Sequence, residues 1–282
     1  PILLNLSLQK DGSYISDKVS ASGKIGFGII ANDSDDVSFN KNGVYKVQSF
    51  FNGENNFEYQ FDTYSFDDMR YVNALIDYSK YNKTQQRVQK LFMKNKYDLA
   101  FIKTDVYKGQ ITPVRNFDGL YRIEVSDFFD NKTIVNIPIQ YDLTPVVIAA
   151  EPKVSPYFIK ANKESIFEKD NMSVFFPAGT FYDDFDLNFD VKNNVLYLHD
   201  DTVPAHTNFT ISITDSHLSK EQRAKTFIGR INGEDINYNS TFRKDSVFVT
   251  KVKTLGMYKL VLDTIPPKIS IAKPIEGKWV SS

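Results

Sequence analysis

The run DGLYRIEVSDFFDNKTIVNIPIQ, residues 118–140, alternates apolar with polar positions on either side of a polar break. Successive side chains of a strand point to opposite faces. Tyr121, Ile123 and Val125 therefore share one face of a first strand, and Val135, Ile137 and Ile139 share one face of a second. Asp127–Asn131 between them has the composition of a turn. The stretch reads as a β-hairpin with one half-buried face.

Outward from the hairpin the same period of two recurs at 43–51, 57–63, 209–214 and 256–262. Many short strands joined by turns predict sandwiches rather than α/β layers. Gly43-Val-Tyr45-Lys-Val47, Gly119-Leu-Tyr121-Arg-Ile123 and Gly256-Met-Tyr258-Lys-Leu260 repeat the order Gly, apolar, Tyr, basic, aliphatic. Glycine permits a tight turn into a strand, Tyr and the aliphatic residue share a face, and the basic residue between them points to solvent. Each copy reads as a late strand of an immunoglobulin-like sandwich. The second leads into Asp142-Leu-Thr-Pro145-Val-Val-Ile148 and the third into Asp263-Thr-Ile-Pro266-Pro267-Lys-Ile269-Ser-Ile271, each a linker plus the first strand of a following domain.

One interruption is helical. Ser65-Phe-Asp-Asp68 has the spacing of a capping box, with Met69, Val72, Leu75 and Ile76 as an apolar stripe. A second helical piece is expected around Thr84–Met93, carrying Val88, Leu91 and Phe92. The expectation is an all-β chain of tandem immunoglobulin-like β-sandwiches, 1–143 and 144–264, the first with a helical insertion near 65–93. The first strand of a truncated third domain follows at 265–282.

The totals bound the function. At 282 residues the chain can build two hydrophobic cores. Lys+Arg 34 against Asp+Glu 35 leaves no field of one sign to draw in nucleic acid, so none is expected as a partner. No apolar run reaches the roughly 18 residues of a membrane-spanning helix. Cysteine is absent, which excludes disulfides, thiolate metal sites and cysteine nucleophiles. Phe 23 and Tyr 16 against Trp 1 suit strands with long polar turns.

Histidine and carboxylate clusters are the candidate sites. LHDDTVPAH at 198–206 places His199 and His206 around Asp200 and Asp201. Zinc needs three or four converging ligands, and His-x-His or HExxH pairs supply the usual reach. Neither occurs, and Pro204 separates the two histidines. The stretch therefore reads as a strand end at His199, a turn, and the approach of His206 to Phe209–Ile213. His217, in TDSHLSKEQR, stands near the start of a short helix. Asp33-Ser-Asp35-Asp36, Asp183-Asp184-Phe-Asp186 and Asp200-Asp201 could offer oxygens to calcium, but none follows the EF-hand order. They read as solvated turns. Gly26-Phe-Gly28 lacks the third glycine of a dinucleotide fingerprint and reads as a loosened strand near a bulge. No catalytic residue and no metal ligand is assigned.

A family likeness adds to this. NKNGVYKVQSFFNGENNFEYQFDTYSFDDMRYVNALIDY at 40–78, continuing to RVQKLF at 87–92, resembles the β-sandwich region after the catalytic domain of M23 (lysostaphin/LytM-type) metallopeptidases of flavobacteria and related Bacteroidota. FFPAGTFYDDFDLNF at 175–189, PAHTNFTISI at 204–213 and LGMYKLVLDTIPPKI at 255–269 are similar to the second accessory domain of the same proteins. That family holds zinc with an upstream His and Asp plus a His-x-His pair, and none of these can be placed on this sequence. The resemblance implies a parent that cuts peptidoglycan cross-link peptides through a domain before Pro1. Zinc is expected only in that domain and no cofactor in this chain. Asp130 stands where the common Asp-x-x-Gly-Asn turn has glycine, a position where Asp tolerates left-handed backbone. Asp201-Thr202-Val203, Asp245-Ser246-Val247 and Asp263-Thr264-Ile265 resemble the Bacteroidota O-glycosylation sequon, with Thr202, Ser246 and Thr264 as acceptors.

The function expected is a non-catalytic accessory, scaffolding and interaction region of an exported M23-type protein. Its place would be the periplasm or the outer-membrane-associated envelope of a Gram-negative bacterium. Its partners would be other envelope proteins, the parent's own catalytic domain, or peptidoglycan. Two alternatives stay open. One is a carbohydrate- or peptidoglycan-binding module. The other is a hydrolase with a metal or carboxylate site around His199, His206 and Asp183–Asp186, with Asp200 as a further ligand.

Overall fold

The computed structural model describes residues 2–34, 41–63, 65–69, 71–94, 99–116, 118–143 and 155–267. The chain is all-β, with short helical pieces. Strand Asp118–Ser126 pairs antiparallel with Lys132–Tyr141, placing Tyr121 opposite Ile137 and Ile123 opposite Val135. All four side chains are buried, as is Ile139, while Val125 is half-buried. Asp130 closes the turn at φ 64°. Asp127 Oδ1 accepts the N–H groups of Phe129 and Asn131 at 2.8 and 2.9 Å. The Asn131 side chain, the largest influence, and these N–H groups hold the Asp127 carboxyl below its ordinary range.

The hairpin is the centre of an eight-stranded sheet. Lys46–Phe51, Glu54–Gln60 and Ile102–Thr104 extend it on one side. Tyr14–Ser16 and Val19–Ala21 run parallel to Lys132–Tyr141 on the other, with Leu6–Leu8 at the edge. Val47, Phe57, Tyr59 and the hairpin's apolar face pack onto a second layer carrying Leu75, Leu91, Met93, Leu99, Phe101 and Ile111. Fully burying one such side chain stabilises by about 1.5–3 kcal/mol.

Residues 155–267 form a sandwich of two five-stranded sheets. One holds Ser165–Lys169, Met172–Phe176, Phe209–Thr214, Val247–Val252 and Thr241–Lys244 in spatial order; the other holds Phe189–Lys192, Val195–Leu198, Gly256–Leu262, Thr226–Asn232 and Asp235–Tyr238. Val174, Phe209, Ile211 and Phe248 from the first meet Leu196, Leu198, Ile228 and Tyr258 from the second in a separate core. The domain junction expected at 143/144 adjoins residues 144–154, which lie outside the described residues. So do Asp35, Asp36, Ile148 and the strand expected at 269–271.

The repeated pattern holds in two copies. Tyr121 and Tyr258 are wholly buried, each with its aliphatic partner facing the same core. The Tyr258 hydroxyl donates to the Thr254 carbonyl, the reach-back of a tyrosine corner. The first copy departs, because its strand begins only at Lys46. Val44 and Val47 are the buried pair, and Tyr45 faces outward with its hydroxyl on Asp62. Gly119 serves close packing rather than a tight turn, since a Cβ there would sit 2.8 Å from the Phe51 ring.

The capping box forms: the Asp68 N–H meets Ser65 Oγ at 3.2 Å, and the Ser65 N–H meets Asp68 Oδ2 at 3.3 Å. The helix breaks into Phe66–Met69, Val72–Leu75 and Tyr78–Thr84. Leu75 and Ile76 are buried, whereas Met69 and Val72 are exposed. The helix expected around Thr84–Met93 is not there. Gln85 turns left-handed at φ 60°, and Gln89–Lys90 instead pairs with Gly28–Ile29. Val88, Leu91 and Phe92 fit a helical period, but Leu91 and Met93 also fit a strand, and pairing with a neighbouring strand decides. Gly26 and Gly28 make room for it: a Cβ on Gly26 would lie 2.4 Å from the Phe92 ring, and one on Gly28 2.8 Å from Val88. Close approach, not a bulge, is their role.

Gly26→Ala should therefore lower unfolding stability by about 1–3 kcal/mol through overpacking. Gly23→Ala, where a Cβ meets nothing within 4 Å, should stay within about 0.5 kcal/mol of the parent. Urea denaturation of both variants checks this, and equal losses would contradict the packing.

Candidate functional site

The segment Val88–Met93 has two faces. Leu91 and Met93 enter the first core, while Val88, Lys90 and Phe92 line a cleft of about 600 Å³. The inserted helices form one wall with Ala74, Asp77 and Tyr78; residues 182–185 and 202–204 of the second sandwich form the other. The Asn82 side chain donates to the Asp201 carbonyl at 3.3 Å, and the Tyr71 ring lies 6.0 Å from that of Tyr182. The insertion thus bridges the two sandwiches.

Each polar cleft residue has a definite setting. Asp77 caps the helix Tyr78–Thr84 by accepting the Lys80 N–H at 3.1 Å. Asp184 accepts the Ala161 N–H at 2.8 Å. Lys90 Nζ donates to the Ala74 carbonyl at 3.0 Å. Burial, with Lys94 adding to it, holds the Lys90 amine below its ordinary value, against the upward pull of Asp77 and Asp183. Burial and then Asp201 push the Tyr78 hydroxyl up.

The structure does not gather the sequence candidates into a metal centre. Among the described residues, no group of three or more His, Asp or Glu could hold a metal ion. His199 follows the strand Val195–Leu198 at φ 51°, and its Nδ1 accepts the Asn188 N–H at 3.2 Å. Its ring packs edge-on to Phe185 at 5.1 Å. The His206 N–H bonds to the Thr180 carbonyl at 2.7 Å, and its ring lies 5.8 Å from Tyr182. Asp200 accepts both the N–H and the hydroxyl of Thr202. Burial raises the Asp200 carboxyl, but these bonds outweigh it and hold the group below its usual range. Asp201 pairs with Arg230 at 2.9 Å. Asp183 and Asp184 line the cleft, while Asp186 belongs to the short strand Phe185–Asp186 beside Phe158. His217 precedes the helix Lys220–Lys225, whose capping box joins Ser219 and Gln222. Of the glycosylation candidates, Thr202 is half-buried with its hydroxyl on Asp200, Ser246 is half-buried in a turn, and Thr264 is exposed.

Residues 156–263 match the family model of the Zu5-like domain. That is the second sandwich. No curated protein and no solved structure matches the chain. The Zu5-like stretch contributes one wall of the cleft, and Lys90 and Phe92 contribute from outside it. Sequence reasoning missed Lys90 because a helical period hid the alternation Val88, Lys90, Phe92. The glycine pair opposite was the available signal.

Burial is the main cause lowering the His199 pKa, opposed by Asp200. The folded state therefore binds fewer protons than the unfolded chain just below the ordinary histidine value of about 6.5. His199 contributes stability that is present above that pH and lost as pH falls through its lower folded value. The urea midpoint should drop between about pH 7 and pH 5. His199→Asn, which suits positive φ, should flatten that part of the profile; an unchanged slope would exclude His199 as its source.

Proposed function

We propose that this chain is a non-catalytic accessory, scaffolding and interaction region of an exported cell-envelope protein of M23 type. Zinc and peptide cleavage would belong to another part of that protein. The sequence resemblance at 40–78, 87–92, 175–189, 204–213 and 255–269 supports the family side of this reading, and the sandwich architecture accords with it. No helix among the described residues is long and apolar enough to cross a membrane.

The observation that carries the interaction reading is the hairpin turn. Phe128 and Phe129 are 73% and 84% exposed at its tip. The turn beneath them is fixed by Asp127 through two backbone bonds and one to the Asn131 side chain. Two aromatic side chains held on a rigid turn are preorganised anchors, since docking them orders little that is not already ordered. The Phe128 ring stands edge-on to Tyr45 at 5.3 Å, so the aromatic surface extends from the turn to the residue that precedes the strand Lys46–Phe51. Acidic Asp127 and Asp130 flank the rings, and Lys132 is paired with Asp130 and Glu124. Such a tip suits an apolar pocket with a basic rim on a partner.

Replacing both phenylalanines (Phe128→Ser, Phe129→Ser) should change stability by no more than about 0.5 kcal/mol, because neither contributes to the core. Capture of envelope protein and of purified sacculi by the immobilised chain should fall at least about tenfold if these rings are the anchor. Undiminished capture of both would remove the turn from the interface. Metal content tests the non-catalytic half: after dialysis against zinc the purified chain should hold less than one equivalent. Stoichiometric zinc lost in His199→Ala with His206→Ala would reverse that reading.

A further inference from the structure

The Lys90 ammonium has three N–H donors. Among the described residues one is met by a protein acceptor, the Ala74 carbonyl. The side chain is half-buried on the cleft floor between Val88 and Phe92. A partly desolvated cation with donors to spare is a receptor for an anion, because a charged hydrogen bond there offsets the lost hydration.

The surrounding wall narrows the kind of anion. Lys94 adds positive charge at one end, while Asp77, Asp183 and Asp184 line the same cleft. Three carboxylates oppose a phosphate dianion far more than a single carboxylate. Phe92, Phe185, Val203 and Pro204 supply apolar surface, and the Thr202 hydroxyl near them is already turned to Asp200. At about 600 Å³ the cleft lies within the size range of ligand pockets.

We propose that the cleft captures the free C-terminal carboxylate of a peptide with an apolar last residue, the carboxylate on Lys90 and the side chain against Phe92 and Phe185. The site joins residues of the first sandwich's insertion to residues of the second, so it exists only while the two are docked. Occupancy by a peptide would therefore strengthen that docking. The proposal rests on reading the chain as a binding region, yet it uses none of the residues of the aromatic turn.

The test is titration of the whole chain with acetyl-Ala-Leu-Phe as the free acid, as its C-terminal amide, and with inorganic phosphate, followed by calorimetry. The free acid should bind saturably and the amide at least about tenfold more weakly, the factor expected for losing a charged hydrogen bond. Phosphate should not saturate. Lys90→Met should reduce acid binding to the level of the amide while leaving amide binding itself unchanged. Lys94→Gln should weaken the acid less than Lys90→Met does. Equal binding of acid and amide, binding of neither, or full affinity in Lys90→Met overturns the proposal. If sacculus or envelope-protein capture persists while the peptide fails to bind, the cleft assignment falls and the interaction reading stands.

Discussion

The ring of Phe92 lies where a Cβ on Gly26 would be, and Val88 crowds the corresponding space at Gly28. That close approach lets the chain from Val88 to Met93 lie against the strand Gly28–Ile29 and divide its side chains between two environments. Leu91 and Met93 close the first core from above. On the reverse face, Lys90 and Phe92 become the floor of the cleft. Packing and site are set by one segment, because period-two alternation cannot direct one face inward without directing the other outward. A larger residue at either glycine would lift the segment and disturb core and cleft together.

The segment also fixes where the inserted helices sit. Lys90 bonds to Ala74, Gln89 to Leu75, and the Asp77 N–H to the Val88 carbonyl. Helices this short have little stability of their own, since nucleation is costly and few backbone bonds are gained. Their positions follow from these bonds and from Leu75 and Ile76 entering the interior. Asn82 and Tyr71 then reach the second sandwich.

How much of this was legible depended on the range of the interactions concerned. The hairpin at 118–140 was readable to its two strands, its turn and the residues sharing a face, since alternation and turn composition are local and Asp130 is one of the few residues that accepts positive φ. The Ser65–Asp68 box was readable for the same reason. The end of the helix was not: Met69 and Val72 have the right spacing, but what lies opposite decides which residues of a stripe are buried. Val88–Met93 failed because its short apolar pattern fits both periods and its partner strand is about sixty residues earlier in sequence. Tyr45 failed because the strand starts only at Lys46, after the tyrosine, whereas in the other two copies it is under way at the glycine. The reading of Leu198–His206 as strand end, turn and approach survived, while its role as a cleft wall needed contacts no spacing records.

The candidate metal residues show why a cluster in sequence is a poor guide to a site. Asp200 and Asp201 are adjacent, yet within their turn one carboxylate is held by Thr202 and the other by Arg230. His199 accepts a backbone N–H through Nδ1, a bond that favours the neutral ring and holds the turn, so its nitrogen is committed to structure. Lys90 is the opposite case: the fold half-buries it between Val88 and Phe92, and among the described residues one of its three donors meets a protein acceptor. A group that the fold desolvates without fully satisfying is where binding free energy can be gained. His199 and His206 back the cleft wall from behind, through Phe185 and Tyr182.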